Sequence, residues 1–333
     1  MKSSDDANYF SLTHFLSKPL FLGIGISKIL VEAKESAIFS MLIGNIFGIF
    51  ILYFLNKVNF YNSTKFKKII IFFIIYILLI IGLTEFVNLI TSIYLMDMNK
   101  YIILLPLIIL ILYMNTKDIS VHLKISKILL IITLFLFIFG YIILIPNIDY
   151  LNYLPLYNVS FKKILFVGFE FALFTTLPYI LYGGIQYKLE NKSKKIIKNY
   201  ISSNFILMII ILIIQGILGI ELVNLFKYPE YIIFKKINIL NFIQNIENFL
   251  SFFWLFTIIM YLSICSKELY DISLSVFNNK YIYPIFLFIS LIPINIYLFE
   301  NVSYLILLYN YLWLICLIIL VIYFLVNIKT SKK

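Results

Sequence analysis

Two carboxylates stand inside hydrophobic runs where a charge is costly: Glu85 in IGLTEFVNLI and Glu170 in FVGFEFALFTTLPYILYGG. An ionised side chain at the centre of a membrane-spanning helix costs roughly 2.5 to 3.5 kcal/mol on insertion scales, so one that is kept marks a functional site or a paired group. Asn88 follows Glu85 by three residues, a step that places both on one helix face. Glu170 is preceded by Gly168 and followed by Thr175, Thr176 and Pro178. In the first hydrophobic run, FLGIGISK places Gly23 and Gly25 just ahead of Ser27, where a helix can unwind near the membrane midplane. Two interrupted helices at matching positions of two inverted repeats expose N–H and C=O groups to a substrate in many transporters. The chemistry this pattern predicts is non-covalent recognition of a free amino acid. Its carboxylate would rest on N–H groups at a half-helix N-terminus, and its ammonium on freed carbonyls or Glu170. The expected ligand residues are Gly23, Gly25, Ser27, Glu85, Asn88, Gly168, Glu170 and Thr175. The competing reading makes each carboxyl protonated or paired for structure and each glycine a site of close helix packing.

The elements that must position these residues follow from composition. The 333 residues are 62% hydrophobic and only 13% charged, with a mean hydropathy of +1.01. Soluble domains are about 45 to 50% apolar and about 25% charged. A bilayer core of about 30 Å needs about 20 mostly apolar residues per helix, and continuous apolar runs of that length recur throughout. Barrel strands alternate apolar and polar residues, so these runs predict helices. The expected architecture is an all-α integral membrane protein, residues 1–333 forming one transmembrane domain. The runs lie at about 10–31, 36–55, 69–95, 99–115, 125–146, 163–187, 200–225, 242–265, 281–299 and 302–327. Lys18, Pro19 and Lys28 interrupt the first, and the fourth is short. Either is compatible with a re-entrant segment.

The net charge of +11 comes from 27 lysines and no arginine. They fall mostly in short gaps between runs, so they set topology rather than form a stripe for phosphates, and no nucleic-acid partner is expected. With the N-terminus inside, 19 of the 27 lysines fall on the cytoplasmic side and 8 outside. The excess predicts ten spans with both termini in the cytoplasm. The longest outer loop, about 223–241, carries apolar residues at near-helical spacing and predicts a short helix on the outer face. Lys127, near the start of the fifth span, either stands as a fixed charge where other transporters bind sodium or snorkels to the headgroups. Cys265 and Cys316 lie in separate hydrophobic runs with no CxxC or CxxH spacing, and there are only two histidines, His14 and His122. No metal site, cofactor or catalytic constellation is expected, and no cleavable signal peptide.

At these residues the chain resembles the amino acid, polyamine and organocation superfamily, whose members share a five-plus-five inverted-repeat fold. Gly23 and Gly25, and the triplet Gly168, Phe169 and Glu170, resemble its first-helix and sixth-helix breaks. Within the superfamily the chain is most similar to the B subunit of bacterial spore germinant receptors. That likeness rests on Pro229, Ile237, Ile239, Phe242, Ile243, Ile246, Glu247 and Trp254, and on NYLPLY at 152–157 and AKESAIFSMLIG at 33–44. It departs at Asn245, where the family commonly has Arg, and at Thr13 and His14, where the first helix usually begins with Gln. The resemblance implies helices 1 and 6 broken near mid-membrane. It also implies a nutrient-sensing subunit in the inner membrane of the spore, partnered by a larger membrane A subunit and a lipoprotein C subunit. A proton-coupled amino acid permease of the same fold, with Glu170 or Glu85 carrying the proton, is the alternative.

Overall fold

Apolar side chains line the outside of this molecule in helical register. In the computed structural model, Phe39, Leu42, Ile46, Phe50 and Tyr53 are all exposed, at steps of three and four residues. So are Ile128, Ile131, Phe135, Ile138, Ile142 and Ile145. Water would not tolerate such stripes, whereas lipid chains solvate them. The structure describes residues 10–22, 25–55, 64–96, 98–183, 192–236, 247–248, 252–287, 289 and 310–328. The fold is 87% helix with no strand among the described residues.

Residues 10–16 are helical, 17–22 form turns, and a new helix, α1, begins at Gly25 and runs Gly25–Ala33. There follow α2 (Ala37–Leu55), α3 (Lys65–Ile93), α4 (Lys100–Asn115), α5 (Ile119–Leu144) and α6 (Phe161–Thr176). The remaining labelled helices are α7 (Lys192–Val223), the single turn α8 (Pro229–Ile232), α9 (Phe252–Phe277) and α10 (Leu312–Ile328). Among the described residues, five helical stretches are long and apolar enough to cross a membrane: Gly25–Leu55, Lys65–Ile93, Ile119–Asn147, Phe161–Gly183 and Lys194–Val223. The first of these is not one rod. Lys34 has φ 51° within a 3₁₀ turn, Lys34–Ser36, and a left-handed residue cannot continue a right-handed helix. That turn separates α1 from α2, where a boundary between the first two runs is expected. α4 has 16 residues with Pro106 inside it, which at 1.5 Å per residue is about 24 Å, less than the hydrocarbon thickness. The segment expected to form the outer loop holds α8 and a 3₁₀ turn, Ile233–Lys236. The expected ninth run is described only at 281–287 and 289.

By contact pattern the chain divides into two compact units. The first comprises Met1–Tyr53, Ile125–Thr176 and Ser193–Thr257. α6 is its central helix, with every residue from Glu170 to Thr176 buried. Phe234 of the Ile233–Lys236 turn packs 5.3 Å from the ring of Tyr141 and 5.9 Å from that of the buried Trp254. Asn152 and the backbone N–H of Asp149 both donate to the carbonyl of Gly216 at 2.9 Å. The second unit comprises Phe54–Lys124, Leu177–Lys192 and Ile258–Lys333. Here α3 packs against α4 and α10, Tyr261 donates to the carbonyl of Leu78 at 3.3 Å, and a chain Asn115–Ser266–Tyr283 links hydroxyl and amide groups at 2.8 and 2.6 Å.

The helix break expected at Gly168 does not occur. α6 runs through Gly168, Phe169 and Glu170 without interruption, and α geometry gives way to 3₁₀ only at Leu177–Gly183, one residue before Pro178. Gly168 serves contact instead: a Cβ there would lie 2.6 Å from the carbonyl oxygen of Ser40, and one on Gly44 would lie 2.5 Å from the carbonyl oxygen of Gly168. The glycine pair lets α2 and α6 approach backbone to backbone, as small residues do in membrane helices.

Candidate functional site

The interruption of the first span and the buried face of α6 lie within the same unit. Gly25 opens α1 with its Cα against aromatic rings; a Cβ would meet Phe21 at 2.8 Å and Phe174 at 3.4 Å. The N–H of Ile26 donates to the carbonyl of Phe21 at 3.0 Å, across the turn. One helical turn further, the ammonium of Lys28 donates to Glu170 Oε1 at 2.7 Å and stands 3.9 Å from Glu32. It also lies 5.8 Å from the centre of the Phe174 ring. Glu170 is fully buried, and its second oxygen, Oε2, has no hydrogen-bond partner among the described residues. This makes a cluster of two carboxylates and one ammonium in which one buried acceptor atom is still open. Burying such charges away from water is tolerable only when they are paired and hydrogen-bonded.

The expected ligand residues separate as follows. Gly25, Ser27, Gly168, Glu170 and Thr175 all belong to this unit, with Ser27 half-buried next to Lys28. Thr175 is 2.9 Å from the hydroxyl of Tyr200 and donates to the carbonyl of Phe171 at 2.8 Å, so it ties α6 to α7 and to its own helix. Gly23 lies outside the described residues. Glu85 and Asn88 are both buried on α3 in the other unit, where the neighbouring Thr84 donates to the carbonyl of Ile80 at 2.8 Å. Lys127 is exposed, the placement expected of a side chain snorkelling to headgroups.

Two features escape a reading of the sequence alone. Lys28, which looks like a blemish in the first span, is the partner of Glu170. The second is a buried cluster at the preceding turn, where Lys18 contacts His14 Nε2 and donates to the carbonyl of His14 at 3.2 Å and to Ser203 Oγ at 3.1 Å. Ser17 contacts Ser203 and donates to the same carbonyl at 3.3 Å. The signal was present as a His and a Lys four residues apart, which is one helical turn. No three His, Cys, Asp or Glu side chains come together to hold a metal among the described residues.

The exposed apolar stripes and, among the described residues, five long apolar helices have the length and composition of a helical membrane protein. No family model matches the chain, and no curated protein matches it significantly.

Proposed function

We propose that this chain binds a small zwitterion, an amino acid, beside the interruption of its first span, and that it is the ligand-sensing B subunit of a spore germination receptor. The observation that carries the reading is the Lys28–Glu170–Glu32 cluster one turn beyond the start of α1. A zwitterion carries the complement of such a pair: its carboxylate suits the Lys28 ammonium, and its ammonium suits the open oxygen of Glu170. Binding at a pre-existing ion pair exchanges one set of partners for another, which is how a ligand acquires unequal affinity for two packings of a bundle. In a sensor, that change passes to the A subunit and the lipoprotein C subunit in the spore's inner membrane. In the same topology both termini face the cytoplasm.

Purified full-length chain in proteoliposomes tests this with radiolabelled L-alanine. The sensor reading expects saturable binding without accumulation, and the paired variant Lys28→Met/Glu170→Gln abolishing it while the chain still folds; an unchanged dose response for that variant removes the pair from the site. Net accumulation in the lumen would instead establish the second reading, a proton-coupled permease. That reading is favoured by one observation of its own, the buried His14–Lys18 contact.

A further inference from the structure

An amine buried in a membrane span ordinarily finds a carboxylate, since an uncompensated charge there is expensive. Lys18 is 2% exposed and His14 4%, and no carboxylate lies within ion-pair distance of Lys18 among the described residues. Its neighbours are three acceptors: Nε2 of His14, the carbonyl of His14 and Oγ of Ser203. Three is the number of hydrogens on an ammonium group. The same positions suit the neutral amine equally well. Two amine hydrogens then go to the carbonyl and to Ser203, and the amine lone pair accepts from an Nε2–H of His14. The ring's other nitrogen, Nδ1, is buried with no partner among the described residues. The other groups shown to face the pair are uncharged hydroxyls: Ser203 from α7, which donates to the carbonyl of His14 at 3.3 Å, and Ser17 from the turn, which contacts Ser203.

We propose that His14 and Lys18 form one proton-binding site inside the membrane, loaded through the open Nδ1 of His14. A proton from water forms an Nδ1–H bond as the Nε2–H bond breaks and its proton moves to the lone pair of Lys18. One proton and one positive charge are gained, the charge rests on the Lys18 ammonium, and His14 stays neutral with its tautomer reversed. Unloading runs the same bonds backward. The pair sits at the start of turn 17–22, so the loaded and empty states act on the segment that joins the two halves of the first span. The site stands on this geometry, while its coupling to a ligand rests on the amino acid reading above.

The test uses nitrogen-15 spectra of the full chain in lipid bilayers, labelled at histidine. The sequence has only two histidines, so His14→Asn assigns the signals. The wild-type protein is expected to switch His14 from the Nε2–H to the Nδ1–H tautomer as the pH of the sample is lowered through a titration. Lys18→Arg, whose guanidinium does not release its proton, is expected to hold the Nδ1–H tautomer throughout. A wild-type His14 that keeps one tautomer across the range overturns the proposal, as does a Lys18→Arg spectrum that titrates like wild type. A parallel arm measures L-alanine binding and uptake at both ends of the pH range. Wild type is expected to depend on pH and Lys18→Arg to lose that dependence despite the retained charge, an outcome that a merely structural lysine would not give. If the tautomer switch is seen but alanine is neither bound nor carried, the ligand reading fails and the proton site stands.

Discussion

Lys28 and Glu170 set the energetics of the candidate site because neither is tolerable alone. The Glu170 side chain is fully buried and that of Lys28 is 14% exposed, so the pair has little water to fall back on. Replacing Lys28 with Met leaves a carboxylate that must either take a proton or remain unpaired; losing one member of a buried pair costs about 3 to 5 kcal/mol. Lys28→Met should therefore lower the thermal unfolding midpoint of the detergent-solubilised chain markedly. The double variant Lys28→Met/Glu170→Gln should recover much of that loss, because a neutral amide needs no counter-charge. A single variant as stable as wild type would mean the pair contributes nothing to folding. The test separates a structural pair from a ligand site, since the double variant should fold yet fail to bind L-alanine.

The helices show why some of this was readable beforehand and some was not. Continuous apolar runs mark α2 and α4 to within a residue at each end but place the starts of α3, α5 and α7 four to eight residues late, where lysines and polar residues lead into the helix; the interruption of the first run is visible as Lys18, Pro19 and two glycines. The role of Gly168 is not legible in sequence because a glycine supports either a helix break or a close approach, and its own neighbours in sequence do not distinguish them. The distinction lies on another helix, in Ser40 and Gly44 of α2, which the run at 36–55 contained but could not align. The same limit hid the partner of Glu170, 142 positions away. Close packing makes its own prediction at the scale of the helix pair. Gly168→Ala puts a methyl group 2.6 Å from a backbone oxygen that has no rotamer to retreat to, and overpacking of this kind costs about 1 to 3 kcal/mol. The expected outcome is a reduced folded yield on size exclusion and a lower unfolding midpoint. A helix-break role predicts the opposite, since alanine would favour a continuous α6 and stabilise it.

For the whole molecule the open quantity is which loops face which side. On the expected ten-span topology the lysine distribution is lopsided, 19 to 8, and such an excess holds cytoplasmic loops in place during insertion. The chain is well suited to a direct measurement because both of its cysteines, Cys265 and Cys316, are buried, leaving a quiet background for thiol labelling. Lys124, Lys163, Lys198 and Lys235 are all exposed, so cysteine at each would be within reach of reagent. With both termini inside, Lys163→Cys and Lys235→Cys should react with a membrane-impermeant maleimide in intact cells. Lys124→Cys and Lys198→Cys should react only after permeabilisation. Lys163 stands at the start of α6 and Lys198 near the start of α7, so on the ten-span topology one passage through the bilayer lies between them. If both label from the same side, the stretch Phe161–Gly183 does not cross, and an amino acid held beside Glu170 would lie in a re-entrant pocket open to one compartment. Labelling from opposite sides would leave the cluster within the bilayer, where a sensor and a carrier both need it.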